Sequence, residues 1–297
     1  MLKLSNFRLN DEDTYGKYHG GRIYPVSETF KEKFPSLRSV IEYNTPKDLD
    51  NIFNTCNEGY LVEQGSLLPP ISLGTRVFCV GLNYPKKRLM TSPNTSKDEM
   101  IIFSKELDCF VGSNCPITIP TGHAGKTLDY EGELALVIGK PGKNISPEEA
   151  SKHIFGFTIV NDGSIREWQK HSLFAGKNFE HSSSCGPCIL VYQGNLKPES
   201  FLLSTKLNGH LVQKSEIGNM IFKCSEIISY ISSILPLKPG DLIATGSPDG
   251  SGITRDPKRF LKDGDELEIE ISNIGILRNK ISAFNKNHFY HDNSNCR

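Results

Sequence analysis

The stretch Leu128-Asp129-Tyr130-Glu131-Gly132-Glu133-Leu134-Ala135-Leu136-Val137-Ile138-Gly139-Lys140 constrains the fold more than any other part of the chain. It begins acidic and ends as an apolar run, rich in the residues that favour a buried strand. Side chains alternate across a strand, so Asp129, Glu131 and Glu133 fall on one face. Three carboxylates in a row repel one another unless something positive sits between them. A hard divalent cation such as Mg2+ meets that need, because it takes oxygen ligands. The same pattern is also compatible with a solvated strand end that binds nothing.

A chain of 297 residues can bury a substantial core and fits a large domain with a smaller appendage. Lys plus Arg and Asp plus Glu are equal at 34 each. This balance gives no electrostatic case for nucleic acid or an anionic membrane as a partner. The first residues lack the apolar core of a signal peptide, and no run approaches the ~18 apolar residues of a membrane span. A soluble, cytoplasmic protein is expected. The 8 cysteines are scattered, several in apolar company such as Val77-Phe78-Cys79-Val80, and read as reduced core residues, not a disulfide framework.

Residues 1–72 read as a small N-terminal domain, with helices expected over Ser36 to Tyr43 and Pro46 to Cys56. Pro69-Pro70 marks its end, since consecutive prolines exclude helix and stiffen the chain. The main domain is expected over 73–284 and a polar tail over 285–297.

Strands are expected at Val77 to Gly81, Ile101 to Lys105 and Ile154 to Val160. Ser146-Pro147-Glu148-Glu149 has the signature of a helix start, and Ser164 can cap a helical turn that carries Arg166, Trp168 and Gln169. Asn208-Gly209 between two strand patterns predicts a two-residue hairpin. Ser225 opens a helix with Ile227, Ile228, Tyr230, Ile231, Ile234 and Leu235 on one face. Leu237-Lys-Pro-Gly-Asp241 and Leu261-Lys-Asp-Gly-Asp265 are similar turns, each launching a strand. Strands outnumber helices without βαβ alternation, which predicts an α+β, mainly β domain whose sheets fold over each other.

Two familiar patterns fail on context. Cys185-Gly186-Pro187-Cys188 spells a dithiol motif, but that chemistry needs a helix N-terminus to lower the first thiol's pKa. Here it runs into the strand-like Ile189-Leu190-Val191-Tyr192. Gly125-Lys126-Thr127 lacks the earlier glycine of a phosphate-binding loop. His123, His153, His171 and His181 have no metal-ligand spacing, so the carboxylates carry the better case, with Asp162 at the end of a second strand.

From about Val77 to Ala283 the chain resembles the fumarylacetoacetate hydrolase family. The resemblance rests on an ordered set: Cys79-Val-Gly-Leu-Asn-Tyr84, Phe103-Ser-Lys105, Asp129-Tyr-Glu-Gly-Glu-Leu134, Gly156-Phe-Thr-Ile-Val-Asn-Asp162, Arg166 with Gln169, and Gly176-Lys177. Asn208-Gly209 with Gln213, Met220-Ile-Phe222, and Leu237 through Pro248 complete it. It implies a mixed β-sandwich roll, usually a homodimer, that binds Mg2+ or Mn2+ through Glu131, Glu133 and Asp162. Asp129 is not a usual ligand position there, so the count from periodicity is one too many. The resemblance also places Lys177 in the active site, with Tyr84, Arg166, Gln169 and the Thr245-Gly246-Ser247 turn lining the substrate pocket.

A 1,3-dicarbonyl or 2-oxo acid can chelate such an ion, which then stabilises the enolate formed when a C–C bond breaks. Lys177 would add positive charge or a proton near the same oxygens. The expected activity is metal-dependent hydrolysis of a C–C bond in a 1,3-dicarbonyl or acylpyruvate-like 2-oxo acid. One departure opens alternatives. Hydrolases and decarboxylases of that family carry a His and a Glu in the lid after Asn-Tyr, where this chain has Lys87 and Met90. Neither can reproduce a carboxylate-oriented imidazole base. A decarboxylase, isomerase or dehydratase that needs no lid-activated water, a direct role for Lys87, or a non-catalytic member would each fit.

Overall fold

The computed structural model describes residues 1–43, 45–53, 59–62, 65–71, 74–92, 94, 96 and 98–284. The tail expected over 285–297 and the Cys56 end of the second N-terminal helix lie outside the described residues.

The strand Gly132–Ile138 lies deep within a 12-stranded sheet and is buried along its whole length. It pairs antiparallel with Ile154–Asn161 on one side and Leu242–Ala244 on the other. Beyond Leu242–Ala244 come Val77–Gly81, paired parallel, and Ile101–Lys105. Beyond Ile154–Asn161 comes Ser183–Val191, whose far edge receives the N-terminal strand Lys3–Leu9. The meander Lys3–Leu9, Glu12–His19 and Arg22–Pro25 therefore continues the same sheet. Its strands are rich in polar residues and lack the continuous apolar run of the central strands, so only helices were expected in this segment.

A 5-stranded sheet covers one face, in the order His210–Glu216, Leu202–Leu207, Glu266–Ile271, Gly275–Ala283, Ile117–Ile119. Alternation sorts the apolar residues between two cores. Leu134, Leu136, Ile138, Phe157 and Ile159 pack with Leu203, Leu267, Ile269, Ile271 and Leu277 of the second sheet. Ala135, Val137, Phe155, Ile189 and Leu242 face the opposite way, toward Leu37, Val40, Leu49 and Phe53 of the N-terminal helices Leu37–Tyr43 and Pro46–Phe53. Each fully buried Leu or Phe contributes about 1.5–3 kcal/mol. The architecture is mainly β with mixed sheets, as expected.

The two turns predicted alike are built alike. Asp241 and Asp265 accept from the backbone N–H of Lys238 and Lys262 at 2.7 and 2.8 Å, and each precedes a strand. The Asn208-Gly209 hairpin and the helix Cys224–Ile234 are present. That helix buries Ile227, Ile228 and Ile231 but leaves Tyr230 and Ile234 exposed.

Two local expectations are corrected. Ser146 opens only a turn and the 3-10 segment Ala150–His153, because the buried strand beginning at Ile154 leaves no length for a helix. Ser164 caps nothing: Ser164–Ile165 pairs with Leu128–Asp129, and its hydroxyl donates to the Asp162 carbonyl.

Cys79, Cys109, Cys185, Cys188 and Cys224 are free and buried, whereas Cys115 is in a disulfide, contrary to the expectation for that residue. Cys185 and Cys188 belong to different cores on the two faces of the sheet, so they do not form a dithiol pair. No described helix is long and apolar enough to cross a membrane.

Candidate active site

The register of two central strands assembles the acidic centre. Gly132 pairs with Asn161, so Glu131 and Asp162 meet where the strands end. The Asp162 N–H donates to the Glu131 carbonyl at 2.9 Å, and the Asn161 side chain accepts from the Glu131 N–H at 3.0 Å. Glu131, Glu133 and Asp162 each offer one carboxylate oxygen, and these atoms lie within 4.8 Å of one another, all on buried residues.

Four cations surround them. Lys177 Nζ lies 2.5 Å from Asp162 and 3.0 Å from Glu131. Lys87 Nζ lies 2.6 Å from Glu131 Oε1 and donates to Ser247 Oγ. Arg166 reaches Glu131 through Nη2 at 2.5 Å, Asp129 through Nε at 2.8 Å and Gln169 Oε1 through Nη1 at 3.1 Å. Lys105, not singled out from the sequence as a site residue, lies 3.0 Å from Asp162 Oδ1 and donates to the carbonyls of Gly163 and Lys177. Its one signal was the Phe103-Ser-Lys105 segment, which reads as strand.

The carboxylates divide sharply. Burial pushes the Glu131 carboxyl up, but Arg166, Lys177 and Lys87 outweigh it and hold the group well below the usual range. Glu133 goes the other way: burial, then Asp162 and Glu131, push it well above that range. Its hydrogen-bond partner among the described residues is the Gly246 N–H at 2.8 Å.

The lysines differ as well. Burial disfavours charge on both; at Lys177 Asp162 and Glu131 reverse this and raise the pKa, whereas at Lys87 burial wins over Glu131 and lowers it.

Short, closely packed segments deliver these groups. Lys177 ends the helix Leu173–Lys177, whose cap is Ser172 Oγ accepting from the Ala175 N–H. A Cβ at Gly176 would lie 2.2 Å from Gln169 Cγ, so only glycine lets this helix touch the segment bearing Gln169. Gly246 adopts φ +97°, and a Cβ there would lie 2.7 Å from Asn83 Cβ. Asn83 donates to the Thr245 carbonyl at 2.7 Å, which fixes the start of the lid helix Pro85–Thr91 against the Thr245-Gly246-Ser247 turn.

A cavity of about 370 Å3 opens onto the cluster, lined by Lys87, Glu131, Glu133, Asp162, Arg166, Gln169, Lys177 and Ser247 among others. Thr245 lies behind it, donating to the Leu134 carbonyl, and Tyr84 is buried in the core beside the lid. Met90 is half exposed and is not part of the cavity wall. No His is among the described lining residues. A larger cavity of about 520 Å3, between Asn6, Tyr15, Leu68 and Phe110, gathers no comparable set of charges.

The donor set suits a divalent metal. It consists of three hard oxygen ligands, one of which, Glu133, is in a salt bridge with no cation among the described residues. Asp129 is excluded from that set by its own bonds. Oδ1 accepts from the N–H of Tyr130 and Gly252, and Oδ2 from the N–H of Ile253 and from Arg166.

Two packed β-sheets enclosing a carboxylate and lysine centre define a class of small-molecule enzyme, and comparison with known proteins agrees. The family model "Fumarylacetoacetate (FAA) hydrolase C-terminal" matches residues 76–282. The chain belongs to this family. It is 37% identical over 220 residues to oxaloacetate tautomerase fahd2, mitochondrial, of Xenopus laevis, covering 73% of this chain and 68% of the relative. It is also 37% identical over 236 residues to oxaloacetate tautomerase YisK of Bacillus subtilis, covering 75% of each. Among solved structures, a fumarylacetoacetate hydrolase from Exiguobacterium antarcticum superposes with a TM-score of 0.80 at 32% identity, covering 96% of this chain and 100% of that one.

Proposed function

We propose that this chain is a divalent-metal-dependent tautomerase that interconverts the enol and keto forms of a dianionic 2-oxo acid, with oxaloacetate as the leading candidate. The observation that carries the reading is Lys87: the lid presents a buried ammonium to the centre, 2.6 Å from Glu131, and not an imidazole poised to activate water. Tautomerisation consumes no water and breaks no C–C bond, so it does not need a lid group that activates water, and a lysine can serve as the proton carrier. The names of the two curated relatives point the same way. This reading displaces the C–C hydrolase expected from the sequence in favour of its isomerase alternative.

Charge supports a dianionic substrate. Lys87, Arg166 and Lys177 balance Glu131, Glu133 and Asp162 on the cavity wall. A divalent cation then adds two positive charges, which a dianion neutralises. Glu131, Glu133 and Asp162 would hold Mg2+ or Mn2+, which supplies charge stabilisation to an enolate oxygen. Arg166 and Gln169 bind a substrate carboxylate, Arg166 by a paired N–H fork. Lys177 stays charged between two carboxylates and stabilises the oxyanion. In ketonisation Lys87 Nζ would give a proton to substrate C3 as the enol oxygen loses its own to solvent, from which Nζ is reprotonated, and Ser247 Oγ fixes the direction of Nζ. Gly246 orients Glu133, while Thr245 and Tyr84 support the pocket from behind. The proposed assembly is a homodimer.

The test follows enol oxaloacetate by its ultraviolet absorbance with Mg2+-loaded protein, against metal-only and EDTA blanks. Wild type should accelerate ketonisation, and Lys87→Met should lose about 100-fold or more of the enzymatic rate. Cleavage of an acylpyruvate without any acceleration of ketonisation would return the hydrolase reading. Light scattering on the same sample measures the assembly.

A further inference from the structure

Asp129 shares the strand face of the metal-binding acids, yet every bond it makes points elsewhere. Its side chain is fully buried, and four donors occupy its two oxygens. Two of them, Gly252 N–H at 2.7 Å and Ile253 N–H at 3.0 Å, belong to a turn more than a hundred residues away in sequence. A third is Arg166 Nε at 2.8 Å.

We propose that Asp129 is a positioning residue, acting through Arg166 to set the geometry of substrate binding. A guanidinium is planar, so fixing Nε against a carboxylate fixes the plane and direction of both terminal nitrogens. Asp129 thereby aims Nη1 at Gln169 Oε1 and Nη2 at Glu131 Oε1. Without it, Arg166 keeps its charge but can rotate onto Glu131 alone, where it competes with whatever else that carboxylate binds. The same residue ties the turn at Gly252-Ile253, whose Ile253 lines the cavity, to the strand that carries Glu131 and Glu133. One acid thus holds a cavity wall, the substrate-facing arginine and the start of the central strand in a single arrangement. Asparagine cannot replace it, because each oxygen accepts from two donors, and an amide nitrogen in place of either would face both of them.

The inference rests on the reading of this cavity as the substrate site, and a double-mutant cycle separates the two. Oxalate, a planar dianion that resembles the carboxylate end of a 2-oxo acid enolate, is titrated calorimetrically into Mg2+-loaded wild type, Asp129→Asn, Arg166→Met and the double variant. Asp129→Asn should weaken oxalate binding about tenfold, the loss expected for a misdirected charged hydrogen bond. Adding it to Arg166→Met should weaken binding no further.

Wild-type binding with fully additive losses would overturn the positioning role alone. No binding by wild type would overturn the substrate-site reading and this inference with it. Should Asp129→Asn fail to fold by circular dichroism, the double variant, which lacks the guanidinium released from Asp129, should recover. Its failure to fold would assign Asp129 to folding only and overturn the proposal.

Discussion

Glu133 shows how far a single residue's chemistry can be read from the sequence. Period-two alternation placed it beside Glu131, and the structure brings the two together with Asp162. The same alternation gave no means of distinguishing Asp129, which is satisfied by a turn at Gly252-Ile253 far along the chain. Long-range backbone donors leave no local mark. Lys105 was missed because its charge sits at the end of an ordinary strand, and only the fold shows it bonded to the Lys177 carbonyl. Because no described cation forms a salt bridge with Glu133 and burial disfavours its charge, Glu133→Gln should leave the stability of the metal-free protein unchanged or raised. It should also abolish stabilisation by Mn2+, which amounts to about 2.7 kcal/mol at a hundredfold excess over Kd. Thermal melts with and without Mn2+ decide this, and an intact Mn2+ shift would remove Glu133 from the ligand set.

The buried thiols give a second prediction at this scale. Burial pushes Cys185 and Cys188 up to about 12 from an ordinary 9.0. Each stays neutral in the folded protein at a pH where the unfolded chain would ionise. The stability due to the neutral thiols is therefore fully present below pH 9 and is lost as pH rises toward 12. The loss should reach about 1.4 kcal/mol per pH unit for each thiol. Urea unfolding at pH 8 and pH 10 should show a shallower decline for the Cys185→Ala, Cys188→Ala double variant. Activity at pH 8 should survive in that variant, since neither thiol touches the cavity.

At the level of elements, the sequence was most legible where a local rule decides the outcome. The Asn208-Gly209 hairpin, the paired Asp241 and Asp265 turns and the central apolar strands all follow from nearest-neighbour chemistry. It was least legible where segments are too short for a period to develop. The helix Leu173–Lys177 spans barely more than a turn and exists because it is capped by Ser172 and packed on its neighbour. Its position depends on Gly176, since a methyl group there would meet Gln169 Cγ at 2.2 Å and the Gln169 backbone N at 2.7 Å. Gly176→Ala should therefore separate the two segments, weaken the bond between Arg166 and Gln169 and move Lys177. Overpacking of this kind costs about 1–3 kcal/mol, and turnover should fall at least tenfold. Unchanged kinetics would show that neither Gln169 nor the position of Lys177 matters to the reaction.

For the whole molecule, the informative feature is the sharing of one sheet by the N-terminal segment and the catalytic region. Lys3 and Leu4 pair with Leu190 and Ile189 of a central strand, and the core that contains Ala135, Val137 and Ile189 is closed by Leu37, Val40, Leu49 and Phe53. Pro69-Pro70 predicted a boundary because prolines interrupt regular structure, but residue pattern alone carries no information on which strands will pair across it. The other face of the central strands needs no such cover, because the second sheet, built after residue 116, supplies it. Removing residues 1–72 should consequently leave one core intact and expose the other. At about 25 cal/mol per Å2 of apolar surface, uncovering about 600 Å2 of that face would be enough to offset the roughly 5–15 kcal/mol of a domain's total stability. The truncated chain should bind a hydrophobic dye, lose cooperative melting and associate in light scattering. A monodisperse fragment beginning at residue 73 with a cooperative melt and full ketonisation activity would instead establish the first 72 residues as a dispensable domain.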